Sequence, residues 1–469
     1  MRLSTAMVFV AAGVVAWTVP VAGVRATYGA RTTADEPQYL MTATSLAEDG
    51  NLDVSDERAA GRYRGFHEVG LPIQEEIRAD GTRVSPHDPL LPALLALPMR
   101  VGGWLVAKLT LAVLAGLLAA LMLWTAVRRF AVPLGVGTLA VCAFSLAAPI
   151  AVYGGQVYPE LPAALAVTAA IAAVTGSLRA RGLAVLGAAC VALPWLSVKY
   201  LPVAAVLAGL AWWRLLRAVR VRVATVLAGV LVGAGAAYLV THQAWYGGWT
   251  AYAAGSHFAG GEATVMGVDP DYLGRSVRLV GLLVDRGFGL AVWQPAYLLA
   301  IPALAALVAA RPRGWSAVAL PLVAGWLNAT FVALTMHGWW WPGRQVVVVL
   351  PTLVLAVAWW SARYEIARRL LAAGLVVGAS IYAWLVVEGL MGRLTLVVDF
   401  ERTTMPLVRA MRVVLPDLRL HPFGTDALLV GWVVMAAALA AWGWHSVRDV
   451  PAPVEVGCAG SVAVGTSSL

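Results

Sequence analysis

Apolar runs of about 18–22 residues recur along most of this chain, and they constrain its fold more than any other feature. A helical run of that length matches the hydrocarbon core of a bilayer. Hydrophobic residues make up 60% of the 469 residues and charged residues only 13%, whereas a soluble domain is roughly 45–50% apolar and about 25% charged. The sequence therefore predicts an all-α polytopic membrane protein with about twelve or thirteen transmembrane helices.

The arginines indicate how these helices are oriented. They cluster in short loops such as Arg128-Arg129, Arg214–Arg222 and Arg363–Arg369, as cytoplasmic loops do under the positive-inside rule. The net charge of +9 is explained by these loops and does not indicate nucleic-acid binding. We predict a multi-pass protein of the plasma membrane with a transmembrane domain over residues 1–445, a first outer loop over 25–87 and a disordered cytoplasmic tail over 446–469.

Two apolar segments are interrupted in ways that argue against simple spans. Residues 89–104 are interrupted by Pro92, Pro98 and the pair Gly102-Gly103, which predicts an interfacial or re-entrant segment. Residues 182–213 are flanked by arginines at both ends, so they must form two short spans with a junction at Pro194–Tyr200. Irregular backbone at membrane depth is tolerated only where protein or a wet cavity surrounds it.

The first outer loop holds about half of the 25 acidic residues, beginning with Asp35-Glu36. The spacing from Thr33 to Glu36 fits a capping box, and the residues after it predict an amphipathic helix lying on the outer surface. A carboxylate at such a helix start could serve as a general base toward a lipid-borne substrate. The alternative is that both acids merely suit the positive end of the helix dipole.

Four further residues are candidates for a site at the outer face. Glu160 begins an apolar span, where it could assist acceptor or metal binding or simply suit the helix start. Lys199, one of two lysines, lies at the broken-helix junction and could bind phosphate or extend to the interface. His337 and Arg344 flank three tryptophans that are typical of an interfacial belt, and Arg344 could bind a lipid phosphate.

Taken together, these features resemble the GT-C superfamily of integral membrane glycosyltransferases, which includes protein O-mannosyltransferases and the aminoarabinose transferase of lipid A. The segments Gly281–Leu290 and Trp341-Pro-Gly-Arg344 look like those of actinobacterial members. The resemblance implies that Asp35, within the Asp35-Glu36 motif, is the catalytic base. It implies that Glu160 is an acid that helps bind metal or acceptor, and that Lys199 and Arg344 are donor-phosphate ligands. We predict that His337 assists Glu160 in binding acceptor or metal.

The predicted function is that of an inverting membrane glycosyltransferase with its active site on the extracytoplasmic face. A polyprenyl-phosphate sugar would be the donor, and a lipid, glycan or protein of the envelope the acceptor. Such a donor needs no nucleotide, which agrees with the lack of a Gly-rich phosphate loop. The sequence names no cofactor and leaves a divalent metal ion open.

Two other function classes remain alternatives. A polytopic transporter or lipid flippase would have charged residues within several spans and repeated halves, and the sequence has neither. A non-catalytic envelope assembly protein would tolerate the loss of the Asp35 charge.

Overall fold

A computed structural model of the protein describes residues 2–256 and 260–447, and in these ranges it is built from helices, with β structure limited to isolated bridges. The α-helices of the first half are α1 (Leu3–Thr18), α2 (Glu36–Glu48), α3 (Ser55–Ala59), α4 (Leu90–Phe130), α5 (Leu134–Ser145), α6 (Ile150–Tyr153), α7 (Glu160–Val174), α8 (Ala180–Leu196), α9 (Leu201–Arg217) and α10 (Val221–Tyr246). Those of the second half are α11 (Tyr272–Arg275), α12 (Arg278–Val284), α13 (Leu290–Trp293), α14 (Ala300–Ala310), α15 (Ser316–Leu327), α16 (Leu350–Ser361), α17 (Glu365–Leu390), α18 (Pro406–Val414) and α19 (Thr425–Ser446). The all-α prediction is confirmed, while the predicted tail lies, beyond residue 447, outside the described residues.

The described helices are those of a multi-pass membrane protein. Six helical segments are long and apolar enough to cross a bilayer: Leu3–Gly23, Leu90–Phe130, Val221–Ala254, Arg344–Ser361, Glu365–Leu390 and Thr425–Ser446. Five further apolar helices of 10–17 residues are Leu134–Ser145, Glu160–Val174, Ala180–Leu196, Pro295–Ala310 and Ser316–Val332. The total of twelve or thirteen transmembrane helices stays a prediction, since six of the described segments are long and apolar enough to cross a membrane.

Both predicted interruptions are present. Helix α4 breaks at Gly102-Gly103, where Gly103 adopts a φ of 64°, a conformation that favours glycine because it has no Cβ. Helices α8 and α9 have 17 residues each and meet at a short 3-10 turn, Val198–Tyr200. At 1.5 Å per residue each helix is about 26 Å long, somewhat less than the ~30 Å of a bilayer core.

Helix α2 begins at Glu36 as predicted, but its predicted place on the outer surface is wrong. Every residue from Glu36 to Ser45 is buried, and the helix packs against α4. The outer loop covers the polar side of the helix, and Gln38 Nε2 donates to the Pro72 carbonyl of this loop at 3.2 Å. Thr42 Oγ1 is satisfied within the helix itself, where it donates to the Gln38 carbonyl at 3.0 Å. Groups of the loop thus contact the polar side of α2, which would face water in an amphipathic surface helix.

Helices α4 and α7 make most of the helix contacts around the start of α2. Helix α4 contacts α1, α2 and α7, and α7 contacts α8, α9 and the 3-10 segment Arg344–Val349. The first turn of α7 therefore lies where α2, the α8–α9 junction and the Arg344 turn come together.

Cysteine labelling should place the first outer loop and the arginine-rich loops on opposite sides of the membrane. Ala60 and Arg217 are both exposed, so Ala60→Cys and Arg217→Cys can each be introduced after replacing Cys142, Cys190 and Cys458. We expect an impermeant maleimide added to intact cells to label position 60, and to label position 217 only after permeabilisation. Equal labelling of both positions in intact cells would contradict this topology.

Candidate active site

The starts of two helices, a junction and a turn converge on one buried ionic cluster. Asp35 immediately precedes α2, Glu160 opens α7, Lys199 lies in the turn between α8 and α9, and Arg344 opens the 3-10 segment that leads into α16. Acids are favoured at helix starts because the peptide dipoles point their positive end there. Proline is tolerated in the same first turn because the missing N–H would have no helical partner, as at Pro37.

Glu160 is the centre of this ionic cluster. The residue is fully buried, and its Oε1 accepts hydrogen bonds from Lys199 Nζ at 2.7 Å and from Arg344 Nε at 2.9 Å. A terminal nitrogen of Arg344 also donates to Asp35 Oδ2 at 2.5 Å. The chain of ion pairs runs Lys199–Glu160–Arg344–Asp35 and carries no net charge, which makes its burial tolerable. The structure thus brings together four of the six residues singled out in the sequence.

Aromatic rings hold the Arg344 side chain in one orientation. Its guanidinium carbon lies 4.2 Å from the centre of the Tyr158 ring and 5.0 Å from that of the Trp340 ring. Cations are attracted to the faces of aromatic rings within about 6 Å. Arg344 is therefore a preorganised cation with donors that face both carboxylates.

Asp35 is ionised at neutral pH in this setting. Burial alone would raise the pKa of its carboxyl group, but the nearby charge of Arg344, with a smaller contribution from Lys199, lowers the pKa overall. Its side chain remains 20% exposed, so it can still be reached from outside the cluster. Asp35 can accept a proton, although its low pKa makes it a weak base while Arg344 is bound to it.

Two polar residues beside Asp35 were not chosen as site residues from the sequence. Gln74 Oε1 lies 3.0 Å from His87 Nε2, and that nitrogen is 3.9 Å from Asp35 Oδ1. Burial lowers the pKa of His87, with Asp35 opposing the shift, which favours a neutral imidazole. The signal that could have indicated His87 is its place in His87-Asp88-Pro89 at the start of α4, which repeats the acid-and-proline pattern of Glu36-Pro37 and Pro159-Glu160.

Asp88 fixes the junction that carries Lys199. Its Oδ2 accepts from the Val198 amide at 3.1 Å, while Oδ1 accepts from Tyr238 at 2.8 Å and lies 2.9 Å from His242 Nε2. Both partners of Oδ1 belong to α10, so this buried carboxylate connects α10 to the turn between α8 and α9. The broken backbone there is thus surrounded by protein groups, as its depth requires.

Glu36 has different surroundings from its neighbour Asp35. It is fully buried, and its two carboxylate oxygens accept from the backbone amides of Thr33 at 3.1 Å and Val157 at 2.9 Å. The bond to Thr33 is one half of the predicted capping box, but the residue directly before α2 is Asp35, not Thr33, and its side chain makes no capping hydrogen bond. Glu36 connects the start of α2 to the turn before α7, and its catalytic role stays a prediction.

His337 belongs to another cluster. Its Nε2 lies 3.6 Å from Asp285 Oδ2, and its ring packs edge-on against Phe288 at 5.0 Å between ring centres. The Asp285 carboxylate also accepts from the backbone amides of Gly287, Phe288 and Leu418. His337 therefore lies beside the loop after α12. Its predicted role with Glu160 in binding the acceptor or a metal ion stays a prediction.

A cavity of about 510 Å³ opens at the ionic cluster. Asp35, Lys199, Arg344 and Tyr252 form part of its wall, and much of the remainder is apolar, with residues such as Leu201, Pro202, Val332 and Leu334. A cavity with cations at one end and apolar walls suits an amphiphile with an anionic head group. At the cluster itself, a divalent metal ion stays a prediction.

Of the comparisons with known proteins, the one with solved structures gives a match. No protein-family profile matches it, and no curated protein matches it. Among solved structures, it is similar to a crystal structure of ArnT from Cupriavidus metallidurans bound to undecaprenyl phosphate. The identity is 14% over 94% of this chain and 75% of that one, with a TM-score of 0.45. At this score, residue roles have to be inferred from the contacts of this chain alone.

Proposed function

We propose that this protein is a membrane glycosyltransferase that moves a sugar from a polyprenyl-phosphate donor to a hydroxyl group of an envelope acceptor. The observation that supports the proposal is the cavity at whose polar end two cations, Lys199 and Arg344, lie beside the ionised Asp35. The apolar wall would hold the first isoprene units, and the cations would hold the phosphate. We place this site on the extracytoplasmic face, opposite the arginine-rich loops.

The proposed reaction is a single displacement. Asp35 accepts the proton of the acceptor hydroxyl, whose oxygen attacks the anomeric carbon. The bond between that carbon and the phosphate oxygen breaks, and its electron pair stays on the phosphate. Lys199 and Arg344 stabilise the negative charge that develops there. Attack opposite the leaving group inverts the anomeric configuration.

Glu160 would act as a positioning residue. One of its oxygens binds both Lys199 and Arg344, which keeps two mutually repelling cations side by side. Lys199 has three N–H donors and Arg344 has five, so each retains donors for a phosphate after binding the carboxylates. The acceptor or metal role that the resemblance implies for Glu160 stays a prediction.

Donor binding would also strengthen the base. The phosphate competes with Asp35 for Arg344 and adds a negative charge nearby, and both changes raise the pKa of the Asp35 carboxyl group. A base closer to the working pH is a better proton acceptor. Asp35 would therefore become an effective general base once a donor is bound, and it would remain a weak base in the free enzyme.

Lys199→Ala should weaken sugar transfer by about 10- to 150-fold, because hydrogen bonds to charged groups contribute about 1.5–3 kcal/mol. Lys199→Arg should retain part of the activity. The measurement is transfer by the purified protein from a panel of radiolabelled polyprenyl-phosphate sugars, and Arg64→Ala, which removes an exposed cation of the first outer loop, is the control.

An unchanged rate in Lys199→Ala would remove Lys199 from the donor site. Movement of the intact donor across the membrane, without release of its sugar, would favour the flippase alternative over a transferase.

A further inference from the structure

A second acidic cluster lies in the first outer loop, at the opposite end of α2 from Asp35. It consists of Asp49, which directly follows α2, together with Asp56 and Glu57 in the first turn of α3. One carboxylate oxygen from each residue lies within 4.8 Å of those of the other two. Asp49 and Asp56 are exposed, whereas Glu57 is buried.

Glu57 is the unusual member of this cluster. It is 2% exposed, and neither of its carboxylate oxygens has a hydrogen-bond partner among the described residues. A buried carboxylate without partners is costly. The nearby Asp53 shows the contrast, because its Oδ1 accepts from the Ser55 amide at 3.0 Å, the Ser55 hydroxyl at 2.6 Å and the Arg83 amide at 2.8 Å.

The neighbouring arginines are paired with other acids. Arg58 binds Glu75 at 2.8 Å, and Arg62 binds Glu48. Three carboxylates thus face one another while the nearest guanidinium groups serve other partners.

The chemistry of the cluster suits a hard divalent cation. Carboxylate oxygens are the ligands that calcium and magnesium prefer. Three carboxylates from the end of α2 and the start of α3 come together here, and one of them is buried without a hydrogen-bond partner among the described residues.

We propose that Asp49, Asp56 and Glu57 bind one hard divalent cation, for which calcium is the test ion. The ion would join the last turn of α2 to α3 and neutralise the buried Glu57 carboxylate. Its role would be to stabilise the fold of the first outer loop, since it binds at the far end of the helix that begins after Asp35. The site is independent of the proposed transferase activity.

The test is calcium binding by the full-length protein in nanodiscs after removal of divalent ions with a chelator. Isothermal titration should show one saturable calcium site per chain, and calcium should raise the midpoint of thermal unfolding. Glu57→Gln should lose both the saturable binding and the thermal shift. Glu76→Gln, which removes an exposed charge from the same loop, should keep both.

The Glu57→Gln variant is expected to fold, because glutamine has the same size and carries no charge that burial would penalise. In chelator its unfolding midpoint should be no lower than that of the wild type, which separates loss of the ion from loss of the fold. The proposal is overturned if the wild type shows no saturable calcium binding. It is also overturned if Glu57→Gln binds like the wild type, or if Glu76→Gln loses binding to the same degree.

Discussion

Asp35→Asn should reduce sugar transfer by about 10²–10⁴-fold, the usual contribution of a general base, while the protein remains folded in membranes. Asparagine has the same shape and keeps an oxygen that can accept from Arg344, so the side chain should stay in place. It cannot take a proton from an acceptor hydroxyl at neutral pH. The measurement is transfer by Asp35→Asn and wild type at matched amounts of folded protein.

Glu36→Gln is the matched comparison for Asp35→Asn. Both Glu36 oxygens accept from backbone amides, so the amide group of glutamine would turn a donor toward one of them. A buried group left without its partner costs about 1–3 kcal/mol, and we expect a lower unfolding temperature with near-normal transfer per folded molecule. Normal transfer by Asp35→Asn together with a transfer defect in Glu36→Gln would reverse the two assignments. Normal transfer by both would remove this motif from the catalytic centre.

Arg344→Ala should abolish transfer and also destabilise the protein by about 3–5 kcal/mol, the typical effect of removing one partner from a buried ion pair. The Arg344 side chain is 8% exposed and binds both Asp35 and Glu160. Its loss would leave two carboxylates facing a single remaining cation, Lys199. Donor binding would suffer at the same time, because the phosphate would lose one of its two proposed cations.

Arg344→Lys separates the charge of Arg344 from its shape. Lysine keeps the positive charge but cannot donate through Nε and a terminal nitrogen to two carboxylates at once. We expect intermediate stability and a transfer defect closer to that of Arg344→Ala. Thermal unfolding and transfer at low and saturating donor are the measurements, and Arg286→Ala, which breaks a partly exposed pair with Asp417, is the control. If Arg344→Ala has the stability and the transfer rate of the wild type, Arg344 does not hold Asp35 and Glu160 together as described.

The sequence was sufficient to predict where helices begin and break. Acids and prolines at helix starts, and the pair Gly102-Gly103, have local physical causes that act within a single turn. It could not predict which of those starts meet. Glu160 and Arg344 are 184 residues apart along the chain, and their contact depends on how α7 packs against α4 and the Arg344 turn. The ionic cluster is therefore a property of packing, although each of its members could be selected beforehand.

The errors concern burial in the loops. Periodicity shows that α2 has a polar side but cannot show that the outer loop covers it. The three tryptophans of the Arg344 turn also differ: Trp339 is 60% exposed, as a membrane-interface belt requires, whereas Trp341 is fully buried and Trp340 lies against Arg344. The sequence predicts the same interfacial position for all three tryptophans. Only the path of the folded chain shows which ring faces lipid and which ring lies in the core.

The shared oxygen of Glu160 has a consequence for turnover under the proposed reaction. A donor phosphodiester carries one negative charge, whereas the lipid monophosphate left after transfer carries about −1.5 to −2 at pH 7, as phosphomonoesters do. Lys199 and Arg344, held together by Glu160, would attract this product more strongly than the donor. Departure of the spent lipid, rather than sugar transfer, would then limit the steady-state rate. Any factor in the membrane that removes the lipid phosphate would then increase the steady-state rate of sugar transfer.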